Sequence, residues 1–136
     1  NNQREIASSA LLLTGDRYEM DFDDLAEKAA DPAVKLAILC SPHNPVGRVW
    51  SREELSRYAE ICTENGVRVI ADGLHSDLIM PGQQFVSYGT LAERFLKDVF
   101  VCSMRWYITR TDFHFLLWGV PRILGRALSS EARAAR

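Results

Sequence analysis

The chain has 136 residues, enough for one modest domain with a single hydrophobic core. Hydrophobic residues make up 47% of the chain and its formal net charge is −2. Neither its composition nor its net charge indicates a nucleic-acid or membrane partner. No apolar run is long enough to span a bilayer, and no secretory signal is visible. Three widely spaced cysteines favour buried free thiols in a reducing compartment, and hence a cytoplasmic location: Cys40, Cys62 and Cys102.

The first forty residues predict a helix followed by a buried strand. Before them, residues 5–7 are compatible with a short strand, and Thr14–Asp16 is typical of a turn. Asp21 is a suitable N-cap for a helix with apolar residues at helical spacing, which ends at Asp31-Pro32. Lys35–Cys40 is a short apolar run, typical of a strand that is buried on both faces.

The middle of the chain predicts a rigid loop, a well-capped helix and a second strand. Ser41–Gly47 contains two prolines and a glycine, which exclude regular structure. Ser51 and Glu54 have the spacing of a capping box at the start of an amphipathic helix, and Asn65-Gly66 supplies its end. Val67–Ala71 is then typical of a second buried strand, closed by an aspartate.

A third strand completes an alternating pattern of strands and helices. It is predicted at Val99–Cys102, after a short helix over Leu91–Lys97. This order indicates an α/β fold, with a partial parallel sheet and flanking helices joined by right-handed crossovers. We therefore expect Lys35–Cys40, Val67–Ala71 and Val99–Cys102 to be neighbouring parallel strands, with the helix Ser51–Asn65 packed on one face.

The end of the chain differs in character from the part before it. Residues 104–136 contain six arginines, no lysine and a dense apolar patch with neither a helical nor a strand period. A basic, alanine-rich helix over Arg122–Arg136 is one interpretation, with a partner protein or a membrane surface as its target. We favour the other interpretation, a frameshifted or otherwise aberrant end. The chain then divides into a partial domain, 1–103, and a divergent, aberrant or disordered tail, 104–136.

Polar residues follow the predicted strands at the edge where open parallel sheets bind their ligands. Asn44 lies in the loop after the first strand, Asp72 closes the second, and His75 comes three residues later. Each has a plainer explanation when taken alone: a turn residue, a strand cap and a structural or surface histidine. A different enzyme that uses His75, Asp72 and Asp77 is not supported, because no nucleophile completes a triad with them. His75 and Asp77 with the distant His43 do not form a convincing metal site either.

Two motifs with a fixed order and spacing suggest a more specific interpretation. They are the segments AILCSPHNPVGRVWSREEL and VRVIADGLHSDLIMPG, and the earlier stretch YEMDFDDLAEKAADPAVKL accompanies them. Together these resemble the aminotransferase class I/II family of pyridoxal-phosphate enzymes, of fold type I. The likeness is greatest to the cystathionine β-lyase-like C–S lyases, whose hallmarks are an S-P-H-N-P-x-G-R loop and a D-E-[IV]-H-x-D element.

The resemblance covers residues 1–103 and implies a fragment of the family's large, cofactor-binding domain. The family's members are homodimers that act on amino-acid substrates. The aspartate matching Asp72 pairs with the pyridine nitrogen of the cofactor, because a carboxylate there keeps the ring cationic and a better electron sink. The residue matching Asn44 donates a hydrogen bond to the ring's phenolic oxygen, and the residue matching His75 lies near that oxygen. All three bind and tune the ring, so none is assigned a catalytic role.

The chain departs from the family pattern where the chemistry needs an amine. In the family, the third strand leads into a Ser-Lys-Thr-Phe-Asn-like element, whose lysine bonds covalently to the cofactor aldehyde. That position falls here at Trp106 or Tyr107. In the earlier motif, Gly73 and Leu74 replace a glutamate and a β-branched residue. The only lysines of the chain lie on the first helix or at the wrong ends of strands: Lys28, Lys35 and Lys97.

Two further elements of the family fall outside the matched region. Its phosphate-binding loop lies upstream, and the arginine that binds the substrate carboxylate lies in a downstream small domain. We therefore expect a fragment related to a C–S β-lyase or an aminotransferase, inactive alone and poor at binding pyridoxal phosphate. The residues do not separate lyase from aminotransferase. The alternative is a small α/β binding or interaction protein that kept the sheet and lost the chemistry.

Overall fold

The computed structural model describes residues 5–95, 99–104 and 115–118. Within these ranges, no helix has the length and apolar character that crossing a membrane requires. Two short 3-10 turns, Tyr88–Thr90 and Glu93–Phe95, accompany the regular elements. Those elements, in chain order, are β1 (Leu11–Thr14), β2 (Arg17–Met20), α1 (Phe22–Ala30), β3 (Leu36–Cys40), α2 (Arg52–Glu64), β4 (Arg68–Asp72), β5 (Val99–Met104) and β6 (Phe115–Trp118).

The central sheet has the strand order β3-β4-β5-β6. β3 pairs with β4 in parallel, with Leu39 opposite Ala71, and β4 pairs with β5 in parallel, with Ala71 opposite Val101. The three predicted strands are therefore parallel neighbours, and the α/β class is confirmed. β6 pairs antiparallel with β5. Most of 104–136 lies outside the described residues, so the prediction that this segment is divergent stays a prediction.

Both predicted helix starts are present and are held by side-chain caps. The Asp21 carboxylate accepts a hydrogen bond from the Asp24 amide at 2.9 Å and begins α1. At α2, the Ser51 hydroxyl accepts from the Glu54 amide at 3.2 Å, and the Glu54 carboxylate accepts from the Ser51 amide at 2.7 Å. These bonds satisfy amides that have no partner inside the helix. α2 ends before Gly66, whose φ of +66° is the left-handed conformation that glycine adopts without strain.

Two local predictions were wrong. Residues 5–7 are exposed and form no strand, whereas an unpredicted antiparallel hairpin joins β1 to β2 around Gly15. The hairpin was missed because LLLT does not alternate apolar and polar residues, which is the usual signal of a half-buried strand, and RYEM alternates over four residues only. Over Leu91–Lys97 the described residues contain only the 3-10 turn Glu93–Phe95, and residues 96–98 lie outside the description.

The hydrophobic core lies on one face of the sheet. There the helix α2 contacts β4, and Leu55 and Ala59 of this helix are fully buried. On the other face Ile38 is 71% exposed, so the prediction that the first strand is buried on both faces is wrong for the described residues. Alternate side chains of a strand point to opposite faces, and in β3 only one of those faces is covered.

Candidate functional site

The carboxyl ends of β3 and β4 are joined where the candidate residues lie. Cys40 and Asp72 are opposite each other in the register, and the Ser41 amide donates a hydrogen bond to the Asp72 carbonyl at 2.9 Å. The loop Ser41–Gly47 and the chain after β4 therefore leave the sheet side by side. This is the edge at which open α/β sheets bind ligands.

A cleft of about 590 Å³ lies beside this edge and contains two of the three predicted site residues. Asn44, in the first loop, and His75, after β4, both line it. Arg17 and Arg48 line it as well and give it positive charge. The apolar side chains of Leu78 and Met80, both largely exposed, complete one wall. The cleft thus combines an amide, an imidazole and the largely exposed guanidinium of Arg17 within reach of one small molecule, whereas the Arg48 side chain is only 12% exposed.

Asp72 lies at the same edge but is not among the residues that line the cleft. It is half-buried at the end of β4, and its Oδ1 accepts a hydrogen bond from the Leu74 amide at 3.0 Å. This bond stabilises the turn that follows the strand and leads to His75. The structure therefore brings Asn44 and His75 to one cleft and places Asp72 next to them. The assignment of all three to a cofactor stays a prediction.

The family described as Aminotransferase class I and II matches residues 4–104. The chain belongs to this family. It is 43% identical over 102 residues to the cystathionine β-lyase PatB of Bacillus subtilis, which covers 75% of the chain and 26% of that protein. It is also 37% identical over 91 residues to the protein MalY of Escherichia coli, covering 67% of the chain and 23% of that protein. The chain thus spans about a quarter of the length of these relatives.

Solved structures of pyridoxal-phosphate enzymes share this fold. Cystalysin from Treponema denticola, which contains pyridoxal 5'-phosphate, has a TM-score of 0.72 and 33% identity, over 74% of this chain and 26% of its own. The pyridoxal-phosphate-bound C–S lyase of Staphylococcus hominis has a TM-score of 0.63 and 34% identity, over 71% and 24%. The predicted resemblance to a fragment of the fold-type-I enzymes is therefore confirmed, whereas its assignment to their large domain stays a prediction.

The side-chain types at this edge of the sheet are chemically compatible with the ring of pyridoxal phosphate. Asn44 offers an amide N–H and His75 an imidazole at one cleft, and Asp72 offers a carboxylate beside it. Those are a donor for a phenolic oxygen and an anion for a protonated ring nitrogen. Within the described residues, no cluster of three or more His, Cys, Asp or Glu side chains is arranged to hold a metal ion.

The lysines of the described residues do not lie at this edge. Lys28 is on α1, where its ammonium donates to Asp24 at 2.6 Å and to the Ser8 carbonyl at 2.7 Å. Lys35 is exposed and precedes β3, at the amino edge of the sheet. Lys97, like Trp106 and Tyr107, lies outside the described residues.

Sequence reasoning treated His43 only as a poor metal ligand and missed its place in the cleft wall. Its ring contacts the Trp50 indole edge-on, with centroids 5.9 Å apart. Burial lowers the pKa of His43 below its usual value of 6.5, which favours the neutral imidazole. Its Nδ1 and the Ser41 hydroxyl are buried without a hydrogen-bond partner in the described part of the chain. The signal in the sequence that could have indicated a ring contact for His43 was Trp50, seven positions later.

Proposed function

We propose that this chain forms the ring-binding part of the cofactor site of a C–S β-lyase or aminotransferase, and that the chain alone does not carry out the reaction. The observation that supports this most directly is the cleft at the carboxyl edge, which both Asn44 and His75 line. Asp72 ends the neighbouring strand at the same edge. Both cystathionine β-lyases and aminotransferases are among the relatives, which supports a proposal that includes the two reaction types.

Each of the three residues has a distinct task in this proposal. The Asn44 amide would donate a hydrogen bond to the phenolic oxygen of the ring, and the His75 imidazole would contact the ring on the same side of the cleft. The Asp72 carboxylate stabilises the proton on the ring nitrogen, because an anion next to a protonated nitrogen raises the free energy of deprotonation. The bound cofactor supplies the electron sink that C–S β-lyases and aminotransferases require. Leu78 and Met80 cover part of the cleft with apolar surface.

The positions of the lysines support the proposed lack of activity. Covalent attachment needs an amine within bonding distance of the cofactor aldehyde. The ammonium of Lys28 is engaged by Asp24 on α1, and Lys35 precedes β3 at the opposite edge of the sheet. Lys97 precedes β5 in sequence and lies outside the described residues.

The test is to titrate the purified 136-residue chain with pyridoxal phosphate and record its visible absorption before and after borohydride. We expect weak, saturable binding, and no stoichiometric reducible adduct on a single lysine. The variant Asp72→Asn should weaken binding about tenfold or more, since a hydrogen bond to a charged group contributes about 1.5–3 kcal/mol. Asparagine can still accept the hydrogen bond from the Leu74 amide, so the turn after β4 is retained.

The matched control is Asp77→Asn, which removes the same charge from an exposed residue two positions beyond His75. It should bind pyridoxal phosphate as the unmodified chain does. A stoichiometric adduct on one lysine would overturn the proposed inactivity. Absence of saturable binding, or equal weakening by Asp77→Asn, would overturn the ring site and favour the alternative of an interaction protein.

A further inference from the structure

The loop that carries Asn44 is closed at its base by backbone hydrogen bonds. The His43 amide donates to the Arg48 carbonyl at 2.7 Å, and the Gly47 amide donates to the His43 carbonyl at 2.8 Å. Asn44 itself is exposed, and in the described residues its side chain has no hydrogen-bond partner. Its position in the cleft therefore depends on what fixes the two ends of the loop.

The side chain of Arg48 fixes one end of this loop to two other elements. Its Nε donates to the Tyr18 carbonyl of β2 at 2.6 Å, and its guanidinium pairs with the Glu54 carboxylate in the first turn of α2. The side chain is only 12% exposed. A planar guanidinium can make these bonds simultaneously because its N–H groups point in fixed, divergent directions.

The same guanidinium is linked to the other end of the loop through Trp50. Its central carbon lies 4.6 Å from the centroid of the Trp50 ring, which is 1% exposed. The Trp50 indole N–H in turn donates to the Cys40 carbonyl at 2.9 Å, where β3 ends and the loop begins. The entry and the exit of the loop are thus joined by one stacked pair of side chains.

We propose that Arg48 is the positioning residue for Asn44, and that its guanidinium holds the loop Ser41–Gly47 in the conformation that presents the amide to the cleft. This inference rests on the proposed function for the identity of the ligand. The Arg48–Glu54 pair is well suited to the task, because the two side chains are only 12% and 21% exposed, so removing either partner leaves the other charge poorly solvated and without its nearest counterion. Arg17 does not duplicate it: its nitrogen is 3.9 Å from Glu54 and its side chain is 56% exposed.

A second arginine supplies a matched control. Arg94 also pairs with a glutamate of α2, Glu60, at 3.6 Å, and it also lies over an aromatic ring, that of Phe95, at 4.5 Å. Its side chain is 71% exposed and is not part of the cleft wall. Arg94→Met therefore removes the same kinds of contact at the surface, where an ion pair contributes little.

The first measurement is amide hydrogen exchange in the chain without any ligand. In Arg48→Met we expect the amides of His43 and Gly47 to exchange about tenfold faster or more, because the opening free energy of the loop falls locally. Amides in the middle of α2 should change less than about twofold, and Arg94→Met should change neither set. A uniform increase over the whole chain, or no increase in the loop, would show that Arg48 only stabilises the fold and would overturn the inference.

Arg48→Lys and Glu54→Gln carry the test if Arg48→Met does not fold. Lysine keeps the charge but has no planar fork, and glutamine at that helix position can still complete the capping box. Both should accelerate exchange in the loop selectively, by a smaller factor than Arg48→Met. Equal exchange in the loop and in α2 for these variants would contradict a positioning role.

The second measurement is binding of pyridoxal phosphate to a double-mutant set. Arg48→Met should weaken binding by about the same factor as Asn44→Ala, and the double variant should be no weaker than Asn44→Ala alone. Additive losses would overturn the coupling between the two residues. If the unmodified chain binds no pyridoxal phosphate while Arg48→Met selectively loosens the loop, the proposed function fails and the positioning of the loop stands.

Discussion

The two faces of the parallel sheet are built from neighbouring residues of the same strands, yet their surroundings differ. In β3, Leu39 is 4% exposed and packs in the core, whereas the preceding Ile38 is 71% exposed. In β4, Ala71 is buried while Ile70 is only half-buried. Because α2 lies against one face only, we infer that the described residues owe their stability mainly to that covered face. The packing on that face therefore also stabilises the strand ends that form the carboxyl edge and its candidate site.

Cysteine reactivity should separate the two faces most sharply. Cys62 of α2 is buried in the hydrophobic core on the covered face, and burial raises the pKa of its thiol to about 12. Cys40 lies in β3 on the same side as Ile38 and is half-buried. The thiolate is the reactive form, so at pH 8 the shift lowers the reactive fraction of Cys62 about a thousandfold relative to an ordinary thiol.

The measurement is alkylation with iodoacetamide at pH 8, followed by mass spectrometry that quantifies each cysteine separately. We expect Cys40 to be modified first and Cys62 to react only after denaturant unfolds the chain. Comparable rates at the two residues in the folded chain would show that the covered face is not a closed core.

Shortening a buried side chain of the helix that covers this face should have the largest effect on the free energy of unfolding. Leu55 is fully buried in the core, and Leu55→Ala should lower the free energy of unfolding by about 2–5 kcal/mol. A small domain has little stability in reserve, so this variant is expected to be largely unfolded at room temperature. Urea denaturation followed by circular dichroism measures the loss. A change below about 1 kcal/mol would mean that the described packing of α2 is not the main source of stability.

Local sequence signals predicted the framework of the fold. The capping box of Ser51 and Glu54 and the glycine after α2 depend on residues that are close in sequence, and all were found as predicted. The short apolar runs predicted the parallel strands, because βαβ connections of this length leave few other topologies. The same runs could not reveal that Ile38 is exposed, since that depends on which layers are present to cover the sheet.

The site could be predicted only in part for the same reason. The family motif contained Asn44 and His75, and both line the cleft. The contacts of Arg48 were not predictable, because they require Tyr18 of an unpredicted hairpin and Glu54 of α2 to meet in space. The hydrogen bond from the Leu74 amide to Asp72 likewise depends on the turn geometry after β4, which the substituted motif did not determine.

Removal of the N-cap of α2 should lower the free energy of unfolding by an intermediate amount, because α2 is the helix on the covered face. Ser51→Ala leaves the Glu54 amide without its side-chain partner, which should lower the free energy of unfolding by about 1 kcal/mol. Ser87→Ala is the matched control, since Ser87 precedes a 3-10 turn and makes no side-chain cap bond there. Thermal denaturation of both variants gives the comparison. Equal losses would show that the capping box contributes nothing specific to this helix.

The smallest effect is expected on the open face, at the residue next to the core. Ile38→Thr keeps a β-branched side chain in the strand and removes apolar surface that is already 71% exposed, so the free energy of unfolding should change by less than about 0.5 kcal/mol. Leu39→Thr, one position along, places a hydroxyl in the core and should cost about 2 kcal/mol or more. Ile38→Thr should also reduce concentration-dependent light scattering, because an exposed apolar edge strand promotes self-association. If Ile38→Thr destabilised the chain as much as Leu39→Thr, the open face would have to be covered in solution, and the contrast between the two faces would not hold.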